Sequence, residues 1–346
     1  MTQQASPAGA PSSRVDSTDP SSSRSSPSAA RGGRRPAGPS RRRRRSATAP
    51  PLTIYLFPLP ALIVFVIFFA VPTLQAFQYA VTDWNGYSAD FEWVGLDNFE
   101  RVLTGDSLFR NALFNNLKFL LVVLFVQTTM SLILALALLR NTRIHVALRA
   151  LFFFPTILSS VSVAFVWKFM YDPSYGLGNS ILGALSAIPQ AVGLDVDLTS
   201  SFLGNDDLAI YWVALAQCWA HIGQLMVIYV AGLQAIPSEL YEAADVDGAS
   251  RWQRFWNVTW PQLAAPTGIV MAYTTVQSFK AFDLILGLSG IPPKASMDIL
   301  STRIYTTFAN SQYGYAAAES VIFMILIAVI TWLQRRAIKA VHPSED

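Results

Sequence analysis

The chain has 346 residues, 52% of them hydrophobic and only 14% charged, whereas an ordinary soluble domain carries about 25% charged residues. That balance and a mean hydropathy of +0.37 argue for an integral membrane protein. The single cysteine, Cys218, excludes an intrachain disulfide and an all-cysteine metal site, and the absence of any Gly-Lys dipeptide excludes an ordinary phosphate-binding loop.

The net charge of +3 conceals an asymmetry: residues 1–51 hold ten arginines, two acids, twelve serines and eight prolines. Such a segment cannot bury enough apolar surface to fold and is expected to be a disordered tail. The run Arg41 to Arg45 has the charge of a nucleic-acid patch. Immediately before an apolar run it reads instead as a cytoplasmic topology anchor, and no nucleic-acid partner is expected. From residue 52 onward six apolar segments, about 54–76, 116–139, 148–170, 208–231, 263–283 and 316–333, are each long enough to cross ~30 Å of hydrocarbon as a helix. None has the alternation of a membrane barrel. The expected class is an all-α membrane protein with six transmembrane helices, Pro58, Pro60, Pro72 and Pro155 bending the first and third.

Eighteen Lys and Arg lie in the tail, the 140–149 and 232–262 loops and the C-terminal end. The loops 77–115, 171–207 and 284–315 hold only Arg101, Arg110, Lys294 and Arg303. Positive residues mark the cytoplasmic side, so both termini are placed inside (N-in/C-in). In the first outer loop Trp84 and Trp93 suit an interfacial aromatic belt, and also a partner or a sugar ring.

Polar groups within the spans are costly and therefore informative. Gln217, His221 and Gln224 follow i, i+4, i+7 spacing and share a face of span four. With Trp219, Gln127 and Gln277 they are candidates for a polar translocation path, although a lone membrane His more often bonds a neighbouring helix. Lys168, Lys280, Asp283 and Glu319 fall near outer span ends, where snorkelling or pairing accounts for them. Lys280 and Asp283 are three residues apart and spaced to pair. Neither a His/Glu metal pair nor a nucleophile–base motif occurs in the spans.

The strongest signal is the cytoplasmic stretch Pro237 to Pro261. Pro237 and Ser238 suit a helix start, Glu242, Ala243 and Ala244 are good helix formers, and Gly248 suits a left-handed end. Ser250 with Gln253 predicts a capping box. Trp252, Trp256 and Trp260 share a face, expected against the bundle or the inner membrane interface. The loop thus reads as two short capped helices able to transmit force; the plain alternative is an amphipathic connector on the membrane.

Glu242-Ala243-Ala244, three residues, Gly248, nine residues and Val258-Thr-Trp-Pro261 resemble the EAA loop of binding-protein-dependent ABC importer permeases. Val258 and Trp260 stand where that family has Ile and Leu. Val94-Gly-Leu-Asp-Asn-Phe99, Tyr175-Gly-Leu-Gly-Asn179, Phe282-Asp283 and Gly314-Tyr-Ala-Ala-Ala-Glu-Ser320 resemble its carbohydrate-uptake branch, while Ser289-Gly-Ile-Pro-Pro293 replaces a family Gly-Gly-Gly-Pro. The resemblance covers residues 52–346. It implies a type I importer permease fold in the bacterial plasma (inner) membrane and a sugar or oligosaccharide cargo. It also implies a second permease, giving a heterodimer, two cytoplasmic ATPases and an extracytoplasmic solute-binding protein. Glu242, Ala243, Ala244, Asp245, Gly248, Val258 and Pro261 would couple to the ATPase. No cofactor or metal is then expected on this chain, ATP-Mg being used by the partner ATPase. A stand-alone secondary transporter or channel is the alternative, against which stand the lack of an inverted repeat and of charges at the membrane centre.

Overall fold

Asp106 sets the start of the longest early helix: its carboxylate accepts from the amides of Leu108 at 2.8 Å and Phe109 at 2.9 Å, satisfying two donors a helix start leaves open. The structure, a computed structural model, describes residues 56–88, 90–191 and 197–341; the tail expected at 1–51 and the first residues of the expected first span lie outside them. In chain order the principal helices are α1 (Leu59–Tyr79), α2 (Ser107–Ala137), α3 (Arg143–Ile157), α4 (Ser160–Met170), α5 (Leu177–Ala191), α6 (Ala209–Gln234), α7 (Ser238–Val246), α8 (residues 251–262), α9 (Ala264–Phe279), α10 (Phe282–Ser289), α11 (Leu300–Ala309) and α12 (Tyr313–Val341). Among the described residues β-pairing is limited to one isolated antiparallel bridge, Thr82 with Trp93, in the first outer loop.

α1, α2, α6 and α12 are each long and apolar enough to cross a bilayer; α3 with α4 and α9 with α10 are bent pairs that bring the number to six when each pair counts as one span. The third expected span is therefore not one helix. Pro155 supplies no N–H, Leu158 is extended (φ −70°, ψ 145°), and Ser159 accepts from the Ser162 amide at 3.1 Å, starting a new helix. The two halves meet at 101°. A second break, at Lys280 and Ala281, bends α9 from α10 by 46°. That break also removes the expected Lys280–Asp283 pair. The two residues now flank a helix boundary, and no ion pair joins them among the described residues.

α6 is the central element, packed against α2, α3, α9 and α10. In lipid there is no hydrophobic drive between helices, so association rests on close packing and small residues. Ala209, Ala214, Ala216 and Ala220 are buried along α6. Gly223 approaches α3 so closely that a Cβ there would lie 1.9 Å from the Phe152 carbonyl oxygen. The outer half of the core gathers Phe119, Ile210, Ile285, Met297 and Ile299; the inner half gathers Leu225, Met226, Tyr229, Leu233, Leu263 and Val270. α1 differs: none of its residues is buried, and it packs chiefly through its Val71–Tyr79 half, against α12.

Candidate functional site

The cytoplasmic loop is a helix hairpin. α7 closes with a Schellman arrangement, the Ala249 amide donating to the Ala244 carbonyl at 2.9 Å and the Gly248 amide to that of Asp245 at 3.1 Å. Gly248 carries the positive φ, +73°, that this ending requires. Ser250 then starts α8 through the capping box read from the sequence, Gln253 donating its amide to Ser250 Oγ at 3.3 Å and accepting from the Ser250 amide at 2.8 Å. Two side-chain ties hold the arms: Arg254 to Asp245 at 2.5 Å and Tyr241 to Thr259 at 3.0 Å. The ion pair is exposed and worth at most about 1 kcal/mol, so the caps and the hydroxyl pair share the work of shaping the loop.

No residue of α7 is buried. Glu242, Ala243, Asp245 and Gly248 are exposed, Ala244 is half-buried, and Val246 is 88% exposed; in α8 Val258 is half-buried and Pro261 exposed. Trp252, Trp256 and Trp260 form a ladder with ring centroids 5.5 Å and 5.8 Å apart. Trp252 and Trp256 are exposed rather than packed on the bundle. α8 and its π-helical turn at Phe255–Thr259 bury only Thr259.

Within the membrane the structure brings together only part of the proposed path. Tyr273 of α9 donates its hydroxyl to Gln224 Oε1 at 3.1 Å and accepts from Gln277 Nε2 at 3.4 Å. Gln224 and Gln277 thus belong to one chain of polar groups across α6 and α9, and Tyr273 is the member the sequence reading missed. Its i, i+4 spacing to Gln277 was the available signal. His221 Nδ1 lies 3.1 Å from the Gln217 carbonyl oxygen, one turn back on the same helix. Gln217 itself is buried. Gln127 is fully buried in a π-helical turn of α2 facing α6, its side-chain amide without a hydrogen-bond partner. Trp219 does not join them. Two residues from Gln217, it points about 200° around the helix, stands edge-on to Trp167 at 5.8 Å, and lines an apolar groove of about 490 Å³ with Met130, Leu151, Phe152 and Pro155.

Toward the outer side three elements meet at a charge network in which Glu319 is buried and Asp106 and Arg303 are half-buried. Arg303 of α11 contacts Asp106, ahead of α2, at 3.0 Å and Glu319 of α12 at 3.3 Å, and Tyr315 donates to Asp106 at 2.9 Å. Glu319 is 0% exposed, so it neither snorkels nor sits at the lipid interface. For Asp106, burial raises the carboxyl's pKa. The Phe109 amide, the Tyr315 hydroxyl and Arg303 together outweigh that and hold it below the ordinary carboxylate range. Trp84 is half-buried, its ring stacked 4.1 Å from Tyr79 and tilted against Tyr313 at 5.6 Å. Among the described residues no group of three or more His, Cys, Asp or Glu side chains is placed to hold a metal ion.

The family described as binding-protein-dependent transport system inner membrane component matches residues 127–342. A probable ABC transporter permease protein of Pyrococcus horikoshii is 36% identical, over 80% of this chain and 92% of its own length. A multiple sugar-binding transport system permease protein of Streptococcus mutans is 32% identical over 79% and 90% respectively. Among solved structures, a chain of a bacterial ABC transporter involved in the import of the acidic polysaccharide alginate aligns with a TM-score of 0.68 over 84% of this chain and 96% of its own, at 23% identity. That likeness shows a shared fold.

Proposed function

The chain belongs to the binding-protein-dependent transport system inner membrane components, and from that premise we propose that it forms one half of the translocation pathway of an ATP-driven importer for a sugar or oligosaccharide. As a permease component it is not an enzyme. A separate pair of ATPases burns ATP-Mg, a second permease supplies the other half of the path, and an extracytoplasmic binding protein delivers the cargo. The observation that carries this reading is α7: a capped helix with no buried residue, tied to its following arm at both Tyr241 and Asp245. An element so exposed and yet so well ordered suits docking on another protein. Closure of the ATPases would shift the α7 pair, and each bound ligand would bias the inward and outward states only by its differential affinity for them.

In the path, Gln224, Tyr273 and Gln277 offer amide and hydroxyl groups to sugar hydroxyls, with Gln217, His221 and Gln127 deeper in the α6 packing. Gln224→Ala and Tyr273→Phe are each expected to lower sugar uptake about tenfold, the effect of losing roughly 1.4 kcal/mol of hydrogen bonding, without lowering the amount of folded permease. Vesicle uptake against protein level measures this, and normal uptake in both variants removes the α6–α9 face from the path. For the function as a whole the decisive experiment is reconstitution. Uptake should require the second permease, the ATPases and the binding protein together. Concentration of solute in liposomes by this chain alone would contradict it.

A further inference from the structure

The two arms of the cytoplasmic hairpin carry opposite charge. Residues 238–248 hold Glu239, Glu242, Asp245 and Asp247 and no base; residues 249–262 hold Arg251 and Arg254 and no acid. The basic arm also carries the tryptophan ladder, with Trp252 70% and Trp256 44% exposed. Among the described residues nothing covers the exposed part of these two indoles. Arg251 beside them is exposed and enters none of the ion pairs among the described residues.

We propose that the tryptophan-bearing face of α8 lies on the cytoplasmic leaflet, with Arg251 on anionic lipid headgroups, so that the membrane surface fixes the depth and direction at which α7 is presented. The proposal rests on the importer function proposed for this chain, which places the loop in the cytoplasm. Three observations favour a lipid surface over a protein. Trp260 lies only four residues, about 6 Å of helix, before Ala264, where spanning helix α9 begins; the headgroup layer is itself about 5–8 Å deep on each side. Indoles belong at that boundary, where an apolar ring meets water and an N–H finds a partner. The charge split also orients the hairpin: an anionic leaflet attracts the arginine arm and repels the acidic arm, turning α7 toward the cytosol. The Arg254–Asp245 and Tyr241–Thr259 ties then carry the orientation of α8 into α7.

The test uses the assembled importer in sealed proteoliposomes. Phospholipids brominated near the headgroup should quench wild-type indole emission measurably more than that of the Trp252→Phe/Trp256→Phe variant. Trp252→Ser/Trp256→Ser, and wild type in vesicles lacking anionic lipid, should each transport about fivefold less sugar per ATP hydrolysed, while the Phe variant retains most of its coupling. Equal quenching of wild type and Phe variant overturns the proposal. So does shielding of the two indoles from aqueous acrylamide only when the ATPase is bound, which would make the contact a protein one. Wild-type uptake with all partners present is read separately, so the proposal can fail while the importer function stands.

Discussion

Glu242→Lys is expected to abolish uptake while leaving the permease folded. Glu242 is exposed on a helix with no buried residue, and a surface substitution of that kind changes stability by about 0.5 kcal/mol or less. Its thermal unfolding in detergent should match wild type. Docking is another matter: reversing a charge inside a desolvated contact costs about 2–5 kcal/mol, enough to lower affinity for the ATPase from about thirtyfold to several thousandfold. Co-purification of the ATPase and vesicle uptake should fall together. Gly248 provides a second, independent probe. Its φ is +73°, and a Cβ added there would meet no atom within 4 Å, so substitution acts through the backbone alone. Gly248→Val should loosen the end of α7, because a β-branched residue is poorly tolerated at positive φ. Gly248→Asp, which tolerates that region better, should report chiefly its added charge. ATPase co-purification and uptake at wild-type levels in Glu242→Lys would exclude α7 as the docking element.

The loop was legible from the sequence because its signals are local. Each cap involves residues within five positions, and Gly248, Ser250 and Gln253 are residue types with few other uses in such a pattern. The spans were legible for the same reason, as length and apolarity are properties of one segment. What escaped depends on geometry between segments. Pro155 announced a bend, but its 101° comes from Leu158 leaving the helix and Ser159 capping the next one. Lys280 and Asp283 pair only on an unbroken helix, and the helix breaks between them. Arg303, Asp106 and Glu319 are separated by 197 and 16 positions, so no periodicity could unite all three. Tyr273 escaped because a tyrosine in an apolar run reads as packing until a polar partner is placed against it. Trp219 is the exception: its separation from Gln217 and Gln224 follows from 100° per residue, and the helical period alone excludes it from their face.

Arg303→Met should destabilise the fold by about 3–5 kcal/mol, because it leaves Glu319 buried and Asp106 half-buried without their shared cation. The arginine is the only guanidinium joining the start of α2, the outer helix α11 and the outer end of α12 through ion pairs described in this chain, so its loss is felt by three elements at once. An isolated surface pair would not behave this way. The acid dependence has a definite sign. Asp106 is held below its ordinary carboxylate value, so its contribution to stability is present above the unfolded carboxylate range and is lost as pH falls through the folded value. Wild type should therefore lose stability in acid, and Arg303→Met, which has already lost much of that contribution, should show a flatter acid limb. A compensating change separates charge from shape: Arg303→Met with Glu319→Met replaces the Arg303–Glu319 pair by apolar groups and should recover most of the loss, Asp106 keeping its bonds from Phe109 and Tyr315. Thermal unfolding of the three proteins at neutral pH and at about pH 3, below the unfolded carboxylate range, reads both effects. If Arg303→Met unfolds at the wild-type temperature, the network does not hold α11 against the bundle. If the double variant is no better than the single one, uncompensated carboxylate charge is not the cause of the loss.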